Sequence, residues 1–473
     1  MLPRSESHRP VDARTREALQ QVIALRAQAD WRAADLALLA ALDAAGQGAA
    51  ANAAVGDLAV TLEAYGVAHD AYGRALMVRP DEPRYWFNRA AVRRFLGDLA
   101  GAETDYDACI ARAPEDGQAW LNRSDLRVQT AGRNHVDGLE CQLARPGQAW
   151  PTVVALRHAL AKECEDLGHH AASWAHLVAG ASLRRQHLQY RVDTDVATVD
   201  WLIEAFPREG TGPAARGHPS VEPVFILGMP RTGSTLVDRM VTAHSAVTPA
   251  GELLDFGNAV VDAARRQWQS HGVAGQAPDR RALVMASAGV DFAALGADYL
   301  QRTRPRSGQT ARFTDKLPLN YLYCGLIDRA LPGAKMVHVS RHPLATCYGV
   351  FKVLFAQGYP FSYDLGELAE YYIAYRRLIA HWQAVLGERL IEVRYEDLVA
   401  QPEQQCRRLL GQLGLDWEPD CLAFERNPKP TTTASASQVR RPIYTSALRV
   451  WQHHASALAP LQRRLEAAGI DCR

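Results

Sequence analysis

The segment GMPRTGST, residues 228–235, combines residue types that bind phosphate in many nucleotide-binding proteins. Gly228 and Gly233 frame it in the G-x4-G spacing of a phosphate-binding loop. Glycines let backbone N–H groups converge on oxygen atoms, and a following helix adds the positive end of its dipole. In nucleoside triphosphatases a lysine follows the second glycine and reaches the terminal phosphates. Here Ser234 takes that position and Arg231 lies inside the loop, which disfavours ordinary hydrolysis of ATP or GTP.

The elements around this loop predict an α/β domain. Short apolar runs with β-branched residues, typical of buried strands, occur at 224–229, 335–341 and 390–398. Stretches of helical character such as 367–386 separate them. This alternation favours a P-loop-like, mostly parallel sheet flanked by helices. For the loop itself, a plain strand–turn–helix that binds no ligand is the simpler alternative. Four prolines and three glycines at 207–223 predict a linker, which leaves 224–473 as the α/β domain.

Residues 1–206 predict an all-α domain. They are rich in Ala, Leu and Arg, with helical periodicity and few strand-like runs. Several residue types recur after 34 positions: Trp86 and Trp120, Asn88 and Asn122, Arg89 and Arg123, Tyr72 and Tyr106, Pro80 and Pro114. This period resembles the tetratricopeptide repeat, whose helix pairs stack into a solenoid. We expect the two tryptophans to pack between helices rather than to hold a ligand.

Composition excludes some classes of function. The 473 residues carry a formal net charge of +1, which gives no reason to propose nucleic acid or a membrane surface as a partner. Eight cysteines without CxxC pairs or zinc spacing predict reduced thiols and no metal site. A polar N-terminus and the absence of an 18-residue apolar run predict no membrane span, so a cytoplasmic protein is expected. Only five of the 53 basic residues are lysines, so a lysine inside a motif stands out.

The loop, taken with the strand before it, resembles the 5′-phosphosulfate loop of sulfotransferases that use 3′-phosphoadenosine 5′-phosphosulfate (PAPS). The resemblance covers about residues 222 to 460, and four further motifs follow in the order of the family. It implies PAPS as donor and PAP as product, with no metal. It also implies that the 5′ end of the donor is gripped by Arg231, Thr232, Gly233, Ser234 and Thr235.

Two motifs of the resemblance imply catalytic groups. Glu252 in TPAGELLDF matches the catalytic glutamate of tyrosylprotein sulfotransferases and of bacterial relatives that bear tetratricopeptide repeats. Such a carboxylate would take the proton of an acceptor hydroxyl. Lys316 in RFTDKLPLNYLY matches the family's lysine, whose compact ammonium would neutralise the leaving oxygen. The simpler alternatives are a solvated surface glutamate and a salt bridge between Lys316 and Asp315.

The motif VHVSRHPLATCYGVFK concerns the 3′-phosphate of the donor. Arg341 matches the arginine that ends a strand in the family, and a surface ion pair is its simpler alternative. The family's serine eight residues later is replaced here by Gly349, which departs from the pattern. The backbone N–H of Gly349, or nearby Lys352, is a candidate substitute for that serine.

The C-terminal block TTTASASQVRRPIYTSALRVW is similar to the block that folds over the cofactor in the tyrosylprotein branch. By this match Ser435 would contact the transferred group, and positive charge would come from Arg440, Arg441 and Arg449. Tyr395 in VRYEDLV matches an aromatic residue beside the nucleotide, with core packing as its alternative.

The resemblance therefore implies a bacterial sulfotransferase that moves a sulfuryl group from PAPS to a hydroxyl acceptor. A phenol such as tyrosine in a peptide is favoured as acceptor, and the helical repeats could present that peptide. A small-molecule alcohol is an alternative acceptor. Two other classes stay open: a non-catalytic tetratricopeptide scaffold with a nucleotide-binding module, and a P-loop kinase or nucleoside triphosphatase. The oligomeric state is not predicted.

Overall fold

The computed structural model describes residues 11–27, 31–208, 217–270, 277–427, 443 and 448–473. These residues divide into two compact units. The first consists of the described residues up to His187 together with Lys352–Gly358. The second consists of the described residues of Leu188–Phe351, of Tyr359–Asn427 and of the stretch from 443 onward.

The first unit is all helical. Neighbouring helices along the chain pack against each other in pairs, as the amphipathic pattern requires when one helix cannot bury its apolar face alone. The helices are α1 (Ala13–Ala27), α2 (Trp31–Ala44), α3 (Ala49–Thr61), α4 (Tyr65–Val78), α5 (Pro83–Leu96), α6 (Leu99–Arg112), α7 (Gly117–Ser124), α8 (Val136–Leu143), α9 (Trp150–Asp166) and α10 (His170–Gln186).

Side-chain contacts in this unit recur with the period of the sequence. The indole N–H of Trp86 donates to the carbonyl of Pro80 at 2.8 Å, and that of Trp120 donates to the carbonyl of Pro114 at 3.0 Å. The hydroxyl oxygen of the fully buried Tyr106 accepts a hydrogen bond from the Asn122 amide at 3.1 Å. The tryptophans therefore fix the entry of a helix against the preceding turn, which is a packing role.

The second unit contains a five-stranded sheet and its flanking helices. The strands are β1 (Pro223–Leu227), β2 (Val247–Pro249), β3 (Arg312–Lys316), β4 (Lys335–Ser340) and β5 (Leu390–Arg394). The helices are α11 (Val192–Ala205), α12 (Ser234–Thr242), α13 (Asp255–Ser270), α14 (Arg280–Ser287), α15 (Phe292–Ser307), α16 (Cys324–Ala330), α17 (Pro343–Phe351), α18 (Leu365–Leu386), α19 (Tyr395–Ala400), α20 (Pro402–Leu413) and α21 (Ala455–Ala467).

The strand order is β2-β3-β1-β4-β5, and all neighbouring strands are parallel. β1 lies in the centre and all five of its residues are buried, as expected for a parallel sheet covered on both faces. The fold class predicted from the sequence, a mostly parallel sheet with flanking helices after an all-helical region, is confirmed.

The two faces of β1 pack on different layers because successive side chains point to opposite sides of a strand. Val224 and Ile226 belong to an apolar cluster with residues of α12 and α20. Phe225 points the other way, and its ring centroid lies 5.6 Å from that of Phe256 and 5.4 Å from that of Tyr299. The sheet is thus held between an aliphatic layer and an aromatic layer.

Helix α11 lies in the second unit, although the sequence predicted that residues up to 206 belong to the helical domain. It packs against α14 and α18. Asp195 pairs with Arg280 at 2.9 Å and Asp200 with Arg377 at 2.7 Å. The linker composition at 207–223 marks a break between elements, but the contacts of α11 place the division of the described chain between residues 187 and 188.

Within the described residues, no single helix has both the length and the apolarity needed to cross a bilayer. One bent pair, α14 with α15, meets the same test by length and composition.

An acidic side chain is buried in the aromatic layer at the end of β3. Asp315 accepts hydrogen bonds from the hydroxyl of Tyr299 at 3.0 Å and from the amide of Asn320 at 3.1 Å. Burial raises the pKa of Asp315 to about 7, although both hydrogen bonds act in the opposite direction. The folded protein therefore holds a proton there that the unfolded chain releases at lower pH.

We predict that the stability of the wild type relative to an Asp315→Asn variant decreases between pH 5 and pH 8. The folded pKa lies above the unfolded value near 4, so the free energy of unfolding falls as pH rises through this interval, by a few kcal/mol at most. Asparagine does not titrate and lacks this loss. Urea unfolding at both pH values measures the difference, with exposed Asp420→Asn as control. A difference that is equal at pH 5 and pH 8 would contradict the prediction.

Candidate active site

The loop 228–233 joins the end of β1 to the start of α12. Gly228 has φ 141° and Gly233 has φ 104°, conformations that favour glycine. A Cβ atom on Gly228 would lie 2.5 Å from the carbonyl oxygen of Val339, and one on Gly233 would lie 2.4 Å from the ring of Tyr395. Both glycines are therefore required by backbone conformation and by close approach.

The loop also holds strain at a non-glycine residue. Arg231 has φ 69°, one of three positive values at non-glycine residues in the described chain. The hydroxyl of Thr232 donates to the carbonyl of Met229 at 2.8 Å and closes the turn around Arg231. Strained residues of this kind concentrate at binding sites, where the surrounding structure maintains them.

The start of α12 offers N–H donors to an anion. The first N–H groups of a helix have no partner inside it, and they carry the positive end of the helix dipole. Within the described part of the chain, the N–H groups of Thr232, Gly233 and Ser234 have no acceptor on the protein. Ser234 and Thr235 are buried where α12 begins. This arrangement can bind phosphate or sulfate oxygens.

Lys316 and Glu252 are brought together beside this loop. The N–H of Lys316 donates to the carbonyl of Gly251 at 2.9 Å, which fixes the chain after β2 against the end of β3. The ammonium of Lys316 donates to Oε1 of Glu252. The lysine side chain is 3% exposed and that of Glu252 is 41% exposed, so the pair joins a buried cation to a carboxylate open to solvent.

The alternative pairing of Lys316 with Asp315 is not formed. The two residues are adjacent on β3, so their side chains point to opposite faces of the sheet. Asp315 bonds to Tyr299 and Asn320 in the aromatic layer, whereas Lys316 faces Glu252.

Arg341, at the end of β4, contacts the loop directly. Its guanidinium donates to the carbonyl of Arg231 at 3.1 Å and lies 4.6 Å from the ring centroid of Tyr395. A cation over an aromatic face is attracted by the ring quadrupole. Tyr395 thus packs against both Gly233 and Arg341, so its ring sets the distance between the loop and this second arginine.

Gly349 has a steric reason to be glycine. It lies in α17, and a Cβ atom there would approach the Cβ of Arg231 to 3.1 Å. The departure from the expected serine therefore makes room for the stem of Arg231. Lys352, the other candidate substitute, pairs with Glu165 at 2.5 Å in the first unit.

The C-terminal candidates are only partly described. Ser435, Arg440 and Arg441 lie outside the described residues. Arg449 is described and exposed.

A polar network behind the loop was missed by sequence reasoning. His338, inside the buried strand β4, lies 2.6 Å from the Tyr375 hydroxyl through Nε2 and 2.5 Å from Glu392 through Nδ1. Burial raises the pKa of Tyr375 well above its usual value, against the effect of the Met229 backbone N–H directed at its hydroxyl. Burial opposes ionisation of Glu392, but hydrogen bonds from His338 and Ser340 outweigh it and lower the pKa. The signal in the sequence that could have predicted this network is a histidine, His338, in the middle of an apolar strand.

The comparisons with known proteins concern mainly this unit. Residues 223–419 match the sequence model of the Sulfotransferase family. An uncharacterized protein of Aquifex aeolicus (strain VF5) is 28% identical over 370 residues, which cover 77% of this chain and 48% of the relative. Protein-tyrosine sulfotransferase 2 of Gallus gallus is 25% identical over 244 residues, covering 49% of this chain and 63% of the relative.

Each of these matches spans less than two thirds of the relative's own length. Among solved structures, the sulfotransferase domain from the olefin synthase of Synechococcus PCC 7002 has a TM-score of 0.35 and 21% identity. That likeness covers 54% of this chain and 97% of the solved domain.

The resemblance of the loop implies binding of adenosine 3′,5′-bisphosphate (PAP), and we predict that Gly349→Ala weakens that binding about tenfold, or about 1.4 kcal/mol. The new methyl group must displace Arg231, whose carbonyl also accepts from Arg341. The expected loss is within the value of one charge-assisted hydrogen bond. Calorimetric titration with PAP measures it. Gly411→Ala is the matched control, because that helical glycine has open space around it. Equal affinities for PAP in both variants would refute the steric account.

Proposed function

We propose, from the match of residues 223–419 to the sequence model of the Sulfotransferase family, that the protein transfers a sulfuryl group from PAPS to a hydroxyl acceptor. The products are PAP and a sulfate ester. The observation that carries the proposal is the contact between Lys316 and Glu252 beside a lysine-free phosphate loop. A base and a cation at one anion-binding turn are the groups that sulfuryl transfer requires.

The donor is proposed to bind along the loop. The N–H groups of Thr232, Gly233 and Ser234, with Thr235 and Arg231, take the 5′-phosphosulfate. Arg341 takes the 3′-phosphate, and Tyr395 lies beside the nucleotide. Support comes from the open donors at the start of α12 and from the contact that ties Arg341 to the loop. The backbone N–H of Gly349 is a further candidate contact, whereas the pairing of Lys352 with Glu165 disfavours Lys352.

The proposed reaction needs one base and one cation. Glu252 accepts the proton of the acceptor hydroxyl as its oxygen forms a bond to sulfur. The bond between sulfur and the bridging oxygen of PAPS breaks in the same step, and its electron pair remains on PAP. Sulfuryl transfer, like phosphoryl transfer, has a loose transition state, so charge neutralisation is the main contribution. Lys316 supplies it at the leaving oxygen, and Ser435, outside the described residues, is proposed to assist.

The acceptor is proposed to be a phenol, such as tyrosine in a peptide. Relatives named as protein-tyrosine sulfotransferases support this, at 24 to 25% identity. We further propose that the first unit is a tetratricopeptide-like solenoid and that it holds such a peptide. The recurrence of the Trp86 and Trp120 contacts after 34 residues supports the repeat assignment.

The non-catalytic alternative loses its one supporting feature. It relied on the missing serine at Gly349, which has a packing explanation in the contact with Arg231.

The proposal is tested by incubating the full chain with sulfur-labelled PAPS and a tyrosine peptide, a free phenol or an aliphatic alcohol. We expect label in the phenolic products and formation of PAP in equal amount. A higher kcat/KM for the peptide than for the free phenol supports a peptide acceptor, and equal values favour a small molecule. Tight binding of PAP without transfer to any acceptor would favour the non-catalytic scaffold. ATP turnover that requires magnesium would favour a nucleoside triphosphatase.

We predict that Glu252→Gln lowers kcat about 100-fold or more, because the amide cannot accept the proton of the acceptor. Binding of PAP should persist, since the cradle at 228–235 is unchanged. Steady-state kinetics and calorimetry measure the two effects. Glu403→Gln is the control, because that glutamate pairs with Arg407 on the exposed surface of α20. Near-normal turnover of Glu252→Gln with intact PAP binding would remove Glu252 from the mechanism.

A further inference from the structure

A second acidic side chain, which the sequence analysis did not identify, lies on the same face of the sheet as Lys316. Asp238 is in α12, four residues after Ser234, which places it about 6 Å along the helix axis from the start of the cradle. Its Oδ1 accepts a hydrogen bond from the hydroxyl of Thr314 at 2.6 Å. Its side chain is half-buried. A negative charge at this position opposes binding of an anionic donor. Its presence therefore indicates a role other than donor binding.

The register of β3 places Asp238 on the same face of the sheet as Lys316. Thr314 and Lys316 are two residues apart on one strand, so their side chains point to the same side. Because Asp238 bonds to Thr314, its carboxylate lies on the side of the sheet where Lys316 meets Glu252. The pKa of Asp238 is raised by burial and by the charge of Glu252, while the charge of Lys316 acts in the opposite direction. Lys316 is therefore hydrogen-bonded to Glu252 and also interacts electrostatically with Asp238.

The charged and polar groups around Asp238 come from three parts of the chain. Thr314 and Lys316 face it from β3, and Glu252 from the segment after β2. Arg239, next to it on α12, is buried and donates to the carbonyls of Phe424 and Asn427. Because the guanidinium of Arg239 is held by these two carbonyls, Lys316 is the cation near Asp238 that we expect to change partner.

The proposed reaction requires Lys316 and Glu252 to separate. A carboxylate that takes a proton needs its lone pairs, and an ammonium that neutralises a leaving oxygen must be directed toward that oxygen. Lys316 is almost fully buried. Separation would leave a buried cation without a carboxylate, which is a costly arrangement unless a second anion remains beside it.

We propose that Asp238 is a positioning residue that holds the ammonium of Lys316 at the end of β3 when Glu252 turns to the acceptor. The inference rests on the proposed function. Thr314 orients the Asp238 carboxylate by its hydroxyl hydrogen bond. The same negative charge weakens donor binding, so Asp238 favours turnover at the expense of affinity.

The Asp238→Asn variant separates this role from a structural one. Loss of the charge should lower kcat about tenfold or more, while binding of PAP stays equal or becomes tighter, because one anion near the phosphate cradle is removed. A residue needed only for folding would lower both. Asp238→Glu, which keeps the charge, should recover part of kcat. Thr314→Val, which removes only the orienting hydroxyl, should give a smaller fall in kcat and covers the case that Asp238→Asn does not fold.

The decisive measurement is a double-mutant cycle in the full chain with Lys316→Met, using labelled PAPS and a phenol. If Asp238 acts through Lys316, Asp238→Asn has no further effect on kcat in the Lys316→Met background. Equal effects in both backgrounds, or joint loss of kcat and PAP affinity in every Asp238 and Thr314 variant, would overturn the role of Asp238 and leave the proposed function standing. Absence of transfer by the wild type would overturn both.

Discussion

The parallel pairing of five strands is the constraint on which the candidate site depends. In a parallel sheet all carboxyl ends lie at one edge, where α/β proteins bind their ligands. Each strand of this sheet delivers one part of the site at that end: the glycine loop after β1, Glu252 after β2, Lys316 at the end of β3, Arg341 after β4 and Tyr395 after β5. Residues as far apart in sequence as 228 and 395 therefore lie at the same edge of the sheet, each directly at or after the end of a strand.

Charge is concentrated at this edge, although the chain as a whole is nearly neutral. Arg231 lies in the loop, the guanidinium of Arg341 contacts the loop, and Lys316 ends the adjacent strand β3; the backbone N–H groups at the start of α12 add to these cations. Glu252 and Asp238 lie on the face of the sheet to which the side chain of Lys316 points. Such a site can bind a multiply charged anion and still keep a carboxylate in reach of an acceptor. Behind the loop, buried His338 joins the Tyr375 hydroxyl to the partly exposed Glu392, and the Met229 backbone N–H is directed at the same hydroxyl.

The first unit, unlike the sheet, is built on contacts between residues that are close in sequence. Its helices repeat a local contact, an indole hydrogen bond to a proline carbonyl six residues earlier, and this contact depends on neighbours in sequence. Contacts between residues close in sequence, when they repeat, appear in the sequence as a regular period. For this reason the all-helical character of this part was predicted well. The membership of α11 was not, because it depends on ion pairs with residues 85 and 177 positions away along the chain.

By itself the sequence determined the features that depend on neighbouring residues: the glycine turn, the apolar strands and the 34-residue period. These follow from backbone conformation and side-chain periodicity. The candidate groups Arg231, Glu252, Lys316 and Arg341 were predicted from the resemblance of their motifs to those of a known family, and their roles stay predictions. Only the tertiary structure decided that Lys316 bonds to Glu252 and not to Asp315, that position 349 must leave room for Arg231, and that Asp238 joins the site from a helix. Strand register and helix packing set these contacts between distant residues, and no local pattern encodes them.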